Sequence, residues 1–245
     1  MIFVSEAYSA EKRGLNILFI GNSYTFYNNM PSLLEKISKS DKTSLYSIKT
    51  KAITKGGAKL INFGQSEGVL SVILGEKWDY VVLQDCSYCT IQNTSIKGFF
   101  DAVKNLSGFI KENGAYPILY STWGRKDGSD YYSKSDIFRG NYDGMQEVVT
   151  RNYQKAAVRN EISVVHIGEL WRQVLAQNIN FDLYTADASH PSIYGSYLTA
   201  LGFYSFITQK TPMNSSYRPL KISKKDATFL KESVLYNFKQ NGIIK

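Results

Sequence analysis

Histidine and cysteine are scarce in this chain: its 245 residues hold two of each, His166 and His190, Cys86 and Cys89. A structural zinc site needs four ligands, and both histidines are remote in sequence from the C-S-Y-C pair, so no structural zinc site is expected. Thioredoxin-type pairs open a helix with a tight turn, whereas this pair follows an apolar run in a polar loop. Free thiols are the expectation, with a local disulfide as the alternative and redox chemistry behind both. Long hydrophobic runs are absent too: none approaches the roughly 18 to 20 residues that span a bilayer, which excludes an integral membrane protein. There is no basic block, nucleic-acid motif or aromatic-basic sheet signature, so no nucleic-acid partner is expected. The 29 basic and 21 acidic side chains are spread along the chain, and the net charge of +8 permits an acidic partner such as an anionic glycan. With 43% hydrophobic residues, 18 glycines and five prolines, the composition is that of an ordinary globular protein.

Residues 1–14 read as an N-terminal extension with some character of a signal remnant. A-Y-S before Ala10 resembles a small-residue cleavage site, yet there is no basic n-region and Met1-Ile2-Phe3-Val4 is too short for an apolar core. A secreted or cell-envelope location is slightly favoured over a cytoplasmic one. From residue 15 to 245 the chain reads as one domain. Short apolar runs at 15–20, 45–53, 80–83, 116–120 and 162–167 have the near-continuous character of parallel strands buried on both faces. Amphipathic segments at 31–39, 95–113, 142–160, 169–177, 191–208 and 224–239 lie between and after them. This alternation predicts a three-layer α/β/α sandwich around a five-stranded parallel sheet. One polar, glycine-punctuated segment, 124–140, follows the fourth strand and is either a surface insertion or a substrate-contacting loop.

Two places carry residues suited to chemistry. The first strand ends in Gly21-Asn22-Ser23-Tyr24-Thr25, which puts a serine where open α/β sheets bind ligands. Near the other end, Asp187-Ala188-Ser189-His190-Pro191-Ser192 precedes a long helical pattern, with Pro191 suited to a first turn. Asp187 is placed to accept the Nδ1 proton of His190 and fix its tautomer, leaving Nε2 to take a proton from a serine. His166, the rival base, alternates within the fifth strand and reads as a core or strand-end histidine.

Together, the strand-end G-N-S-Y and the C-terminal D-x-x-H-P-S resemble the first and last sequence blocks of the SGNH/GDSL hydrolase superfamily, across residues 15–208. The resemblance implies the flavodoxin-like fold of that superfamily and a catalytic triad of Ser23, His190 and Asp187. It implies an oxyanion hole from the Ser23 amide, the Gly57 amide (Gly56 being the alternative) and the side chain of Gln84. Gln84 stands in V-V-L-Q, where the family carries a G-x-N-D block. The expected activity is serine esterase chemistry through an acyl-enzyme, which needs no metal or cofactor, with removal of acetyl from a carbohydrate favoured as its form. The aromatic side chains Tyr24, Tyr27, Trp123, Tyr131 and Tyr132 fall in loops expected near the crevice and are the candidate substrate contacts. The alternatives are a weak or inactive glycan-binding relative and a lipase- or thioesterase-type acylhydrolase.

Overall fold

The first apolar run forms β1 (Arg13–Gly21) in the computed structural model, which describes residues 12–129, 141–177 and 179–244. Ile17 and Phe19 enter one core while Leu18 and Ile20 enter another, and all four are fully buried. A strand covered on both faces needs this pattern, because successive side chains point to opposite sides. The strands β2 (Tyr46–Thr54), β3 (Tyr80–Leu83), β4 (Tyr116–Ser121) and β5 (Ser163–His166) complete a parallel sheet of order β2-β1-β3-β4-β5. The strands begin and end within two residues of the sequence expectation.

The helices follow as α1 (Ser23–Phe26), α2 (Met30–Ser40), α3 (Leu60–Gly64), α4 (Glu67–Gly75), α5 (Ile96–Glu112), α6 (Tyr142–Asn160), α7 (Ile167–Leu175), α8 (Ile193–Thr208) and α9 (Lys224–Gln240). Side chains of α2, α7, α8 and α9 share a core with Ile17 and Phe19. Those of α3 to α6 share the other with Leu18 and Ile20. The sandwich is therefore α/β/α as expected. The short helices α3 and α4 were not anticipated. In Glu67–Gly75, apolar residues crowd most of the circumference between two glycines, so no clean helical period is present to read.

The sheet order reverses direction between β1 and β3, and ligands of such sheets bind outside the carboxyl ends of the strands at that point. Ser23 and Gln84 follow those two strands. Of segment 124–140, residues 130–140 lie outside the described residues, and with them the candidate contacts Tyr131 and Tyr132. The signal-like residues 1–11 lie outside as well. Among the described residues no helix is long and apolar enough to cross a membrane.

Candidate active site

Gly21 lets β1 end against its neighbour. A side chain there would put its Cβ 2.4 Å from Gln84 Oε1 and 2.8 Å from Thr25 Oγ1, so only glycine fits. Asn22 then caps α1, its Oδ1 accepting from the Tyr24 amide at 3.1 Å. This starts the helical turn at Ser23, whose amide has no intrahelical acceptor. From the far end of the chain, His190 Nε2 lies 2.8 Å from Ser23 Oγ. Its Nδ1 hydrogen-bonds Asp187 Oδ2.

The loop that carries His190 is tightly determined. Asp187 Oδ1 accepts from the amides of Ser189 and His190, both at 2.9 Å, and from Thr185 Oγ1 at 2.8 Å. Ala188 takes the left-handed φ of 59° that such a turn requires. Partial burial raises the Asp187 carboxyl, but the bonds from the His190 ring and amide, Thr185 and Ser189 outweigh it. They hold Asp187 well below the usual carboxylate range. An ionised Asp187 fixes His190 with its proton on Nδ1 and leaves Nε2 facing the serine hydroxyl.

Two of the expected substrate contacts do other work. Trp123 is 1% exposed and Tyr24 6% exposed, so neither offers a face to a substrate. Trp123 stacks on Trp171 with centroids 3.8 Å apart, and Tyr24 also stacks on Trp123, at 4.8 Å. Their polar ends reach the same residue of the histidine loop: Trp123 Nε1 donates to Ser189 O at 3.0 Å, and the Tyr24 and Ser189 hydroxyls share a 2.7 Å bond. Buried aromatics with a polar handle behave this way, and here the handles hang the His190 loop on the core.

Gln84 also departs from its expected role as an oxyanion donor. It is 1% exposed, and both its amide hydrogens are taken, by Asn22 Oδ1 at 2.9 Å and Asp85 O at 2.7 Å. Its Oε1 accepts from the Asn22 amide at 2.9 Å and Thr25 Oγ1 at 2.8 Å. The extra methylene carries this amide under the Asn22–Thr25 turn, where it braces the segment that bears Ser23. Asn22 extends the brace by donating from Nδ2 to Ala58 O at 3.2 Å.

The loop between β2 and α3 is stitched on both sides of Gly57. The Lys55 amide donates to Gly21 O at 3.2 Å, and the Leu60 amide donates to Asp85 Oδ1 at 3.0 Å. Gly57 adopts φ +68°, which explains glycine here, and its amide donates no hydrogen bond among the described residues. Among the described residues two backbone donors, at Ser23 and Gly57, thus remain uncommitted.

Asp85, unremarked in the sequence beyond its place after Gln84, ties the Leu60 amide to that of Cys86, the latter at 2.8 Å. Burial pushes its carboxyl up to about 6, against the opposing pull of the two amides and the Lys59 charge. A carboxyl raised on folding contributes stability that is fully present below pH 4 and is lost as the pH rises through 6. Asp85→Asn removes this titration while its carbonyl still accepts both amides. Urea unfolding from pH 4 to 8 is expected to find wild type losing about 3 kcal/mol relative to the variant across that range. Parallel pH profiles would show that the carboxyl is not desolvated.

Cys86 and Cys89 correct the expectation of free thiols. The turn Ser87–Thr90 brings their Cα atoms to 5.1 Å, and they form a disulfide. They make a close group with Asp85, but both sulfurs are committed to each other. His166 stands at the end of β5 with Nε2 3.0 Å from Gln154 Oε1, and burial lowers its pKa. It is a strand-end histidine bonded to a neighbouring helix, as expected.

No family model and no curated protein sequence matches the chain, and the comparison with solved structures decides the relationship. A candidate SGNH hydrolase from Slackia heliotrinireducens is similar over 81% of this chain and 100% of its own, with 27% identity and a TM-score of 0.66. The chain belongs to the SGNH/GDSL hydrolase superfamily. This SGNH hydrolase is also similar to a DUF4886 family protein from Bacteroides uniformis, over 95% of this chain and 98% of that one, at 16% identity and a TM-score of 0.77. An acetyl xylan esterase aligns over 78% of this chain and 98% of its own, at 16% identity and a TM-score of 0.56. These last two likenesses concern the fold. As a member of the superfamily, the protein is a carboxylic ester hydrolase.

Proposed function

We propose that this hydrolase works as a serine esterase through Ser23, His190 and Asp187, and that its substrate is an acetylated carbohydrate. The observation that carries the reading is the unbroken chain from Asp187 through the imidazole to the serine hydroxyl, closed at 2.8 Å. His190 takes the Ser23 proton as Oγ attacks the ester carbonyl. The amides of Ser23 and Gly57 receive the developing oxyanion. The proton on Nε2 passes to the departing alcohol, leaving acetyl on Ser23. His190 then deprotonates a water that attacks the acyl-enzyme, and acetate leaves as the hydroxyl regains its proton.

Two observations support a sugar as the alcohol, and a third supports a short acyl group. Phe26 is 41% exposed, and beside it Tyr27 lies partly open against His190, so flat rings stand next to the base. A similar fold serves an acetyl xylan esterase. Cavities of about 1030 and 610 Å³ run along β5, and neither is lined by Ser23, Asp187 or His190, so neither supplies a pocket for a long acyl chain. The disulfide supports a secreted or cell-envelope location, because such bonds persist in oxidising compartments.

Fluorophosphonate labelling read by intact mass tests the nucleophile: one adduct is expected on wild type and none on Ser23→Ala. Hydrolysis of p-nitrophenyl acetate, p-nitrophenyl dodecanoate and acetylated xylan tests the substrate, with acetyl esters preferred. A preference for dodecanoate would transfer the protein to the lipase-type acylhydrolases. Saturable binding of acetylated xylan without acetate release or labelling would make it a glycan-binding relative.

A further inference from the structure

The turn Tyr27–Asn29, just after α1, is built at some conformational expense. Asn28 and Asn29 are consecutive residues in the left-handed region, at φ 52° and 51°. Asparagine tolerates this better than other residues with a side chain, but two in succession are uncommon. Both ends of the histidine loop's exit hold the turn in place. Asn28 Nδ2 donates to Pro191 O at 3.0 Å and Ser196 Oγ at 2.9 Å, and Ser196 Oγ donates to Tyr27 O at 3.3 Å. The product of this clamp is a single contact. The Tyr27 ring lies flat on the imidazole of His190, with centroids 4.3 Å apart and planes inclined by 12°.

Among the described residues, the other neighbours of that imidazole are Asp187 from its own loop, the Ser23 hydroxyl, and Tyr24, whose ring stands perpendicular to it at 5.6 Å and 89°. Asp187 is its one charged partner among the described contacts. Among these contacts only Tyr27 stacks face to face on the imidazole. The face of an aromatic ring carries negative quadrupole charge and attracts a cation stacked upon it. In the proposed esterase cycle, His190 becomes a cation each time it accepts a proton from Ser23 or from water.

We propose that Tyr27 is a positioning residue, whose ring holds the His190 imidazole in plane for Ser23 and stabilises its protonated form. The proposal rests on the esterase reading for its effect on rate, and on the stacking geometry alone for its effect on the imidazole. A ring that merely covered the imidazole would act with the opposite sign. Shielding from water disfavours the charged form, so removing a cover raises a histidine pKa, whereas removing a π-face lowers it.

The test is an NMR titration of the imidazole Cε1–Hε1 signals. The chain has two histidines, and His166→Gln assigns them. Tyr27→Leu is expected to lower the His190 pKa by about half a unit, Tyr27→Phe to leave it unchanged, and Tyr27→Trp to raise it by a few tenths of a unit. In steady-state hydrolysis of p-nitrophenyl acetate, Tyr27→Leu moves the acid limb of kcat/KM to lower pH by the same amount. Its plateau kcat falls about threefold, and Tyr27→Phe restores both. A raised or unmoved pKa in Tyr27→Leu, or a tryptophan variant that falls below wild type, overturns the proposal. Because the NMR shift needs no turnover, it separates this failure from that of the esterase reading, which is read in Ser23→Ala.

Discussion

Ser23→Ala and His190→Ala are each expected to lower turnover of an acetyl ester by about 10⁴- to 10⁶-fold, with little change in melting temperature. The two halves of this expectation have separate physical grounds. Among the described residues Ser23 Oγ has one side-chain partner, His190 Nε2, so the alanine variant loses a single partly exposed hydrogen bond. Removing the His190 ring frees Asp187 Oδ2, while Oδ1 keeps Thr185 and the amides of Ser189 and His190. No buried charge is orphaned, so folding is little affected. Asp187→Asn should cost less activity than either, about 10³- to 10⁴-fold, because the nucleophile and base remain while the tautomer is no longer fixed. Steady-state kinetics beside thermal melts check all three. A Ser23→Ala variant retaining a tenth of the wild-type rate would end the assignment.

Gln84→Ala is expected to fail in the opposite way, chiefly as a loss of stability. It strips buried partners from the Asn22 amide, Thr25 Oγ1, Asn22 Oδ1 and Asp85 O together. Buried groups left without partners cost about 1–3 kcal/mol each when water does not reach them, and some here keep other bonds. A total of about 3–5 kcal/mol follows, which for a chain of this size lowers the melting temperature by roughly 10 °C. Gln84→Glu should not rescue it. Its carboxylate would keep the two acceptor contacts but turn oxygen toward two oxygens that now receive hydrogen bonds. The comparison also weighs the role of Gln84. An oxyanion donor would lose 10²- to 10³-fold in kcat at unchanged stability, and a melt that stayed at the wild-type temperature would return Gln84 to the oxyanion hole.

What was legible in the sequence was whatever local pattern determines. Apolar runs marked the five strands because burial on both faces leaves few choices of residue. Gly21 before Ser23, and Asp187 three residues before His190, marked a turn and a tautomer lock within short spans. The direction in which a side chain leaves a strand end was not legible. Trp123 follows β4 by two residues and reads equally well as a cleft wall or a core plug. Trp171, on a helix nearly fifty residues later, decides the matter. Gln84 was misread for a similar reason. Its donors were counted, while one acceptor that takes them, Asn22 Oδ1, belongs to another strand's loop. Tyr27 was noticed only as an aromatic near the crevice, because the stacking that distinguishes it depends on a fold spanning most of the chain.

The hydrogen bond between Ser23 and His190 joins residues 167 positions apart. A ribosome adding roughly 5–20 residues per second makes the serine some ten to thirty seconds before the histidine. Throughout that interval the emerging chain carries an ordinary hydroxyl, inert toward the esters around it. On the proposed mechanism, the nucleophile is armed only when the last third of the molecule has been synthesised and has closed over the sheet. Appearance of esterase activity during translation would therefore time the completion of folding, with no added label.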